Sequence, residues 1–139
     1  MSPLVWKTQK AAGIRVIDEQ HGILLDGLNE LRTALKMGEE CERVRAILSR
    51  LTDLARLHVA SEERLLEQHR FPGLAEYHAE HELLLRHLEA RPTYCNSASR
   101  YRQSDSVNEL ADFLRTWFVS HVEAAGSAYG PWLQEHGVR

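Results

Sequence analysis

The stretch HVASEERLLEQHRFPGLAEYHAEH, residues 58–81, contains the pattern on which the fold prediction depends. His58 and Glu62 stand four residues apart before the interruption FPG, and Tyr77 and His81 stand four residues apart after it. Side chains at this spacing lie one above the other on the same face of an α-helix. The stretch therefore predicts two helices joined by a turn, each with two polar side chains on one face.

The same periodicity continues along the rest of the chain and favours helices over strands. The apolar positions predict four helices, from about Asp18 to Met37, Glu40 to Arg70, Leu74 to Glu89 and Ser106 to Gly126. Gly38 is the predicted stop of the first helix, and the tail from Tyr129 onward is predicted to add one helical turn. We therefore predict one all-α domain over residues 1–139, an up-down-up-down four-helix bundle. Residues 1–17, with Trp6 and Gly13, are predicted to form an irregular arm across it.

Polar residues on the inward-facing stripes are predicted to meet at one end of this bundle. Neighbouring helices run in opposite directions, so the start of one helix lies level with the end of the next. Six polar residues fall at the same level by this rule: His21, His58, Glu62, Tyr77, His81 and His121.

A metal site is the interpretation that this convergence favours. A buried carboxylate without a partner costs several kcal/mol, and a bound cation removes that cost. Imidazole and carboxylate donors without cysteine suit iron, manganese or zinc. The alternative is a set of core histidines with ordinary hydrogen-bond partners. Three of the other histidines are not predicted ligands: His69, His87 and His136. His78 lies at the edge of a stripe.

The composition excludes several classes of function. A net charge of -3, without a Lys/Arg cluster, argues against a nucleic-acid partner. No apolar run approaches the roughly 18–20 residues of a membrane span, and the first residues lack the pattern of a signal peptide. Cys41 and Cys95 have no metal-binding spacing, so two reduced thiols are predicted. A soluble cytoplasmic protein is expected.

At these residues the chain resembles the hemerythrin family, in its single-domain bacterial form. The resemblance covers nearly the whole chain, and its motifs are Trp6, GIRVIDEQH ending at His21, HVASEE from His58, FPGLAEYHAEH ending at His81, WFVSH ending at His121, and Tyr129. It implies two non-haem iron ions inside the bundle, joined by a glutamate, an aspartate and an oxo or hydroxo group. It also implies that dioxygen binds end-on at the iron that has two histidines and an open position.

The resemblance also implies a role for each matching residue. His21 and His58 would hold the two-histidine iron, and Glu62 would bridge the two ions. His81 and His121 would be two of the three histidines on the other iron.

The chain departs from the family pattern at two positions. Tyr77 stands where the family has a histidine, and Gly126 stands where it has the bridging aspartate. Tyr77 is predicted to bind iron as a phenolate, a hard anionic donor that favours ferric iron. The alternatives are that Tyr77 is a core aromatic residue or that His78 is a displaced ligand. Gly126 leaves space for water, a small anion or a substrate carboxylate.

Three functions remain open from the sequence. The first, favoured over catalysis, is a di-iron protein that binds dioxygen for storage, delivery or sensing. The second is a redox enzyme or scavenger that acts on peroxide, nitric oxide or a small substrate through a tyrosinate-bearing site. The third is a vestigial, metal-poor interaction module.

Overall fold

Four helices pack in a square, and the all-α bundle predicted from the sequence is confirmed. The computed structural model describes residues 12–90 and 104–139, the side chains of 104–106 excepted. The elements are α1 Arg15–Lys36, α2 Cys41–Gln68, α3 Leu74–Glu89, α4 Ser104–Ala124, a π-helix Ala125–Tyr129 and α5 Gly130–Glu135. Helix α1 packs against α2 and α4, and α3 packs against the same two helices. This arrangement encloses one interior between four helices.

Helix α1 ends where the sequence predicts. Gly38 adopts a φ of 67°, a left-handed conformation that favours glycine. The Gly38 amide donates to the Leu35 carbonyl, and the Glu39 amide donates to the Ala34 carbonyl. These two bonds satisfy carbonyls that would otherwise lack partners at the helix end.

Helix α2 ends in the same kind of motif, but with an arginine in the left-handed position. Arg70 has a φ of 57°, which costs a non-glycine residue about 1–2 kcal/mol. The Phe71 amide donates to the Leu66 carbonyl at 2.8 Å, and Phe71 packs into the same apolar cluster as Leu66. The break at FPG is therefore confirmed, with the helix ending at Gln68 rather than at Arg70.

The N-terminal end of α1 lies three residues before the predicted start at Asp18. The Asp18 carboxylate accepts hydrogen bonds from the amides of Ala12 at 2.8 Å and Gly13 at 3.1 Å. The Ala12 carbonyl accepts a hydrogen bond from the Gln134 side chain at 2.9 Å. The chain entering α1 is thereby tied to α5. The rest of the predicted arm, including Trp6, lies outside the described residues.

The predicted end of the fourth helix at Gly126 is wrong, because α4 ends at Ala124 and a π-helix continues through Gly126. A π-helix follows α4 and leads directly into α5, which is the additional turn predicted for the tail. Tyr129 and Leu133 are completely buried in this segment. Their packing outweighs the low helix propensity of Gly126 and keeps the chain helical.

The interior consists of a polar layer between two apolar clusters. One cluster includes Leu24, Ala55, Leu84 and Phe118. The other comprises Ala12, Ile14, Ile17, Leu66, Tyr77, Ala125, Tyr129 and Leu133. On α1, α2 and α3, one buried histidine separates residues of the first cluster from residues of the second. On α4, His121 and Val122 precede Ala125 of the second cluster, which begins the π-helix. The polar residues thus occupy a single level of the bundle.

The remaining sequence predictions concern location and thiols. No helix in the described part of the chain combines the length and apolarity needed to cross a membrane. The cytoplasmic location stays a prediction. Cys41 is buried at the first position of α2, and Cys95 lies outside the described residues, so the prediction of two reduced thiols stays a prediction.

We expect Gly130→Ala to lower the free energy of unfolding by about 1–3 kcal/mol, the usual cost of overpacking. A Cβ atom there would lie 2.4 Å from the Ala12 carbonyl oxygen and 2.7 Å from the Ala125 carbonyl oxygen. Gly22→Ala is the control, since a Cβ atom at position 22 would meet no atom within 4 Å. This substitution should stabilise the helix by up to about 1 kcal/mol. Urea denaturation measures both, and equal effects would contradict the close approach at Gly130.

Candidate metal centre

Five titratable side chains meet in the polar layer. His21, His58, His81 and His121 come from α1, α2, α3 and α4, and Glu62 follows His58 by one helical turn. Each of the five is between 0% and 2% exposed. The inward stripes of the four helices place them there, because each lies at helical spacing from apolar core residues. The structure brings these five predicted residues together, and their role as metal ligands stays a prediction.

A histidine from each of the four long helices lies close to Glu62. Its Oε1 lies 2.7 Å from His81 Nε2. Its Oε2 lies 3.1 Å from His121 Nε2, 3.3 Å from His58 Nε2 and 4.0 Å from His21 Nε2. The two carboxylate oxygens therefore face different histidines, one on one side and three on the other.

The three-histidine side has the dimensions of a coordination shell. His21, His58, Glu62 and His121 each offer a ligand atom, and these atoms all lie within 4.8 Å of one another. His58 Nε2 and His121 Nε2 are 3.0 Å apart. Ligand atoms at about 2.1 Å from a tetrahedral metal ion are roughly 3.4 Å apart. The donors present therefore fit a cation that accepts imidazole and carboxylate, which includes iron.

Two further residues orient the histidines from outside the cluster. His58 Nδ1 donates to the Gln20 side-chain oxygen at 2.9 Å, and the Gln20 amide donates to Ser61 Oγ at 3.0 Å. His81 Nδ1 donates to Glu63 Oε2 at 2.7 Å. A hydrogen bond at Nδ1 fixes the ring and directs Nε2 inward, as is usual around protein metal sites.

Tyr129 is a site residue whose role the sequence prediction missed. Its hydroxyl donates to Glu62 Oε2. Eight residues of ideal α-helix would direct it roughly 80° away from His121. The π-helix is wider, and its Gly130 amide donates to the Ala125 carbonyl five residues back. The wider turn advances less per residue, which returns Tyr129 to the inner face.

Tyr77 lies one turn before His81 and is 7% exposed. Its ring is 5.2 Å from that of Tyr129 and 6.2 Å from that of His121, measured between centroids. Burial and the Glu62 carboxylate raise the pKa of the Tyr77 phenol, so its ionisation requires a compensating cation. The phenolate role stays a prediction.

The structure does not favour the alternative that His78 replaces the missing histidine, which stays a prediction. His78 is 56% exposed, with Nδ1 2.8 Å from Glu63 Oε1 and Nε2 3.0 Å from Glu82 Oε1. It lies about 100° around α3 from Tyr77, and its partners hold it at the surface. His87 and His136 stack on Phe113 and Trp132.

The site keeps its carboxylate ionised and two of its imidazoles neutral. Burial, together with the neighbouring His58 and His121 rings, lowers the pKa of His21 to about 2. Burial also lowers the pKa of His58. Burial alone would raise the pKa of Glu62, but the His121, His58 and His81 rings hold it well below its ordinary value. Neutral imidazoles and an ionised carboxylate are the forms that bind metals.

The pKa of His81 is shifted in the opposite direction to those of His21 and His58. Burial would lower its pKa, but its hydrogen bonds to Glu62 and Glu63 raise that pKa above the ordinary value. Both of its ring nitrogens face carboxylate oxygens at 2.7 Å. Contacts of this kind favour the protonated form of the ring, because each carboxylate oxygen accepts a hydrogen bond.

A comparison with known families identifies the chain. The family model described as the Hemerythrin HHE cation binding domain matches residues 12–133. The chain belongs to the hemerythrin family. The resemblance found from the sequence motifs is thus confirmed.

Curated relatives agree with this assignment. The chain is 26% identical to a protein named bacteriohemerythrin from Stenotrophomonas maltophilia, over 98% of this chain and 85% of the relative. It is 28% identical to a bacteriohemerythrin from Pseudomonas aeruginosa, over 93% of this chain and 80% of the relative. A bacteriohemerythrin from Methylococcus capsulatus is 24% identical, over 96% and 98% of the two chains. The chain is therefore similar to these hemerythrins along nearly its whole length.

We expect Tyr129→Phe to lower the free energy of unfolding of the metal-free protein by about 1–3 kcal/mol. The change keeps the buried ring but removes the donor to a buried carboxylate. Tyr77→Phe is the matched control, because the Tyr77 hydroxyl makes no hydrogen bond within the described residues; its effect should stay within about 0.5 kcal/mol. Urea denaturation compares the two, and equal losses would show that the Tyr129 bond does not stabilise the bundle.

Proposed function

We propose that this hemerythrin is a non-haem iron protein that binds dioxygen at the buried histidine cluster, for storage, delivery or sensing. The observation that carries the proposal is the convergence of three histidine Nε2 atoms on Glu62 Oε2 at 3.1 to 4.0 Å. Bound iron would supply the change between ferrous and ferric states on which dioxygen binding depends. The names of the curated relatives support the same activity.

The surroundings of the cluster support a small apolar ligand. An apolar cavity of about 20 Å³ lies within the apolar cluster that borders the polar layer, which is room for about one water-sized molecule. Trp117 and Phe118 belong to its lining; Trp117 stacks on His121 at 4.5 Å, and the Phe118 ring lies 6.2 Å from that of His21. A small apolar cavity separated from the donors by these two rings suits dioxygen better than an organic substrate.

The protein's own residues prepare the site for a cation. Gln20 and Glu63 orient two imidazoles through their Nδ1 atoms. Tyr129 holds Glu62 in place through Oε2. The two apolar clusters on either side exclude water, so a bound ion keeps any coordination position that the protein does not fill.

Two finer points stay predictions. The resemblance implies two iron ions per chain with an oxo or hydroxo bridge. The second candidate function, a redox enzyme or scavenger of peroxide or nitric oxide, depends on Tyr77 as a tyrosinate ligand. The observation that favours it is the buried position of the Tyr77 ring beside those of Tyr129 and His121.

We expect the iron(II)-loaded protein to react with dioxygen within seconds of stopped-flow mixing. The change in visible absorbance measures this reaction. The control is Glu62→Ala, which removes the carboxylate that lies close to a histidine from each of the four long helices. It should lose iron and melt at a lower temperature than the loaded parent, because bound metal stabilises the folded state by mass action. No reaction over minutes in a fully loaded parent protein would favour the interaction-module hypothesis.

We expect the oxidised, iron-loaded protein to be purple to blue if Tyr77 binds as a phenolate, since ferric phenolates have a charge-transfer band in the visible. Tyr77→Phe removes only the oxygen, so the band should disappear while the far-ultraviolet circular dichroism remains. Tyr129→Phe is the control, because it removes the other buried phenol. An unchanged visible spectrum in Tyr77→Phe would establish Tyr77 as a core aromatic residue.

A further inference from the structure

We propose that the cluster holds one tightly bound metal ion, and not the bridged pair that the family resemblance implies. Its protein ligands are His21, His58, His121 and Glu62 through Oε2. His81 is a positioning residue that orients Glu62. The proposal rests on the proposed function only in its assumption that the cluster binds metal.

The first argument is the grouping of the donors. Glu62 Oε2 and the Nε2 atoms of His58 and His121 lie 3.0 to 3.3 Å from one another. His21 Nε2 completes the group at 4.0 Å from Oε2. Two ligands of one ion are at most about 4.2 Å apart when each bond is about 2.1 Å. These four separations are within that limit, and the ligand atoms of all four residues lie within 4.8 Å of one another, a bound slightly beyond it.

The ring positions show the same grouping. The centroids of His21, His58 and His121 form a nearly regular triangle with sides of 4.8, 5.1 and 5.2 Å. His81 lies farther out, at 6.4 Å from His58 and 5.6 Å from His121. The family assignment would instead pair His121 with His81 on one ion and separate it from His21 and His58.

His81 has contacts that suit a positioning role. Its Nε2 lies 2.7 Å from Glu62 Oε1, and its Nδ1 lies 2.7 Å from Glu63 Oε2. Glu63 is held in turn by His78 at 2.8 Å. This chain of contacts fixes Glu62 by one oxygen and directs the other oxygen toward the three remaining histidines.

A second ion would lack donors. It would lie on the Oε1 side of Glu62, where the family carries a further histidine and an aspartate. Tyr77 and Gly126 occupy those positions. Within residues 12–90 and 104–139, no second group of three or more histidine, cysteine or carboxylate donors is present. His81 and Tyr77 are the remaining candidate ligands for a second ion.

Charge also favours one ion. Glu62 is the only buried carboxylate among the described residues of the polar layer. Two divalent ions would bring four positive charges into an interior with one negative charge, whereas one ion brings two. Uncompensated charge in a low-dielectric interior is costly. Because position 126 lacks the family's aspartate, a centre with two ions would have still more uncompensated positive charge.

The matched variants His81→Gln and His121→Gln separate the two assignments, because the family pattern places both histidines on the same ion. The full-length protein is freed of metal, loaded with excess iron(II) without oxygen, desalted and analysed for iron. We expect one iron per chain in the parent and in His81→Gln, and none in His121→Gln. Affinity in His81→Gln should fall by roughly 10- to 100-fold, as is typical when a supporting residue is lost.

Electron paramagnetic resonance of the oxidised protein gives a second readout that needs no variant. A single ferric iron gives a signal, whereas a bridged ferric pair couples to a silent state. Two irons per chain with a silent spectrum, or equal loss of iron in both variants, would overturn the proposal. If His121→Gln does not fold, His21→Gln takes its place with the same expectation. One bound iron without a reaction with dioxygen would refute the proposed function and support this inference.

Discussion

The burial of one carboxylate governs the interior of this protein. Glu62 is completely buried, and an ionised group at that depth must be matched by donors or cations. Each of the four long helices supplies a histidine within 4.0 Å of it, and the π-helix supplies a tyrosine hydroxyl. The order of the interior follows from this requirement, with an apolar cluster on each side and a single polar level between them.

The irregular backbone of the fold serves the same level. The left-handed Arg70 ends α2 soon after Glu62 and allows α3 to return with Tyr77 and His81 facing inward. The π-helix turns Tyr129 back toward Glu62. Gly130 then permits the chain near Ala12 to approach within a distance that no Cβ atom would tolerate. Departures from ideal helix thus lie next to the site, as is often observed at functional positions.

Helical periodicity predicted the four helices and the convergence of four histidines and Glu62, because both depend on which face of a helix is apolar. It did not predict the role of Tyr129, since an ideal α-helix directs that residue away and a π-helix leaves little trace in the sequence. Gln20 and Glu63 were also missed: each stands next to a site residue, on a face that periodicity assigns to solvent. The start of α1 differed because the Asp18 carboxylate binds the two preceding amides, a contact that periodicity does not encode.

The hydrogen bonds from His81 through Glu63 to His78 also have a consequence for acid–base exchange. They link a ring that is 1% exposed to one that is 56% exposed, through a single carboxylate. A cation entering a cluster of protonatable ligands must release protons, and protons do not cross an apolar interior without a relay. The hydrogen-bonded side chains of His81, Glu63 and His78 supply a relay of three groups from the polar layer to water. Protons can therefore pass between the polar layer and the solvent without separation of the four helices.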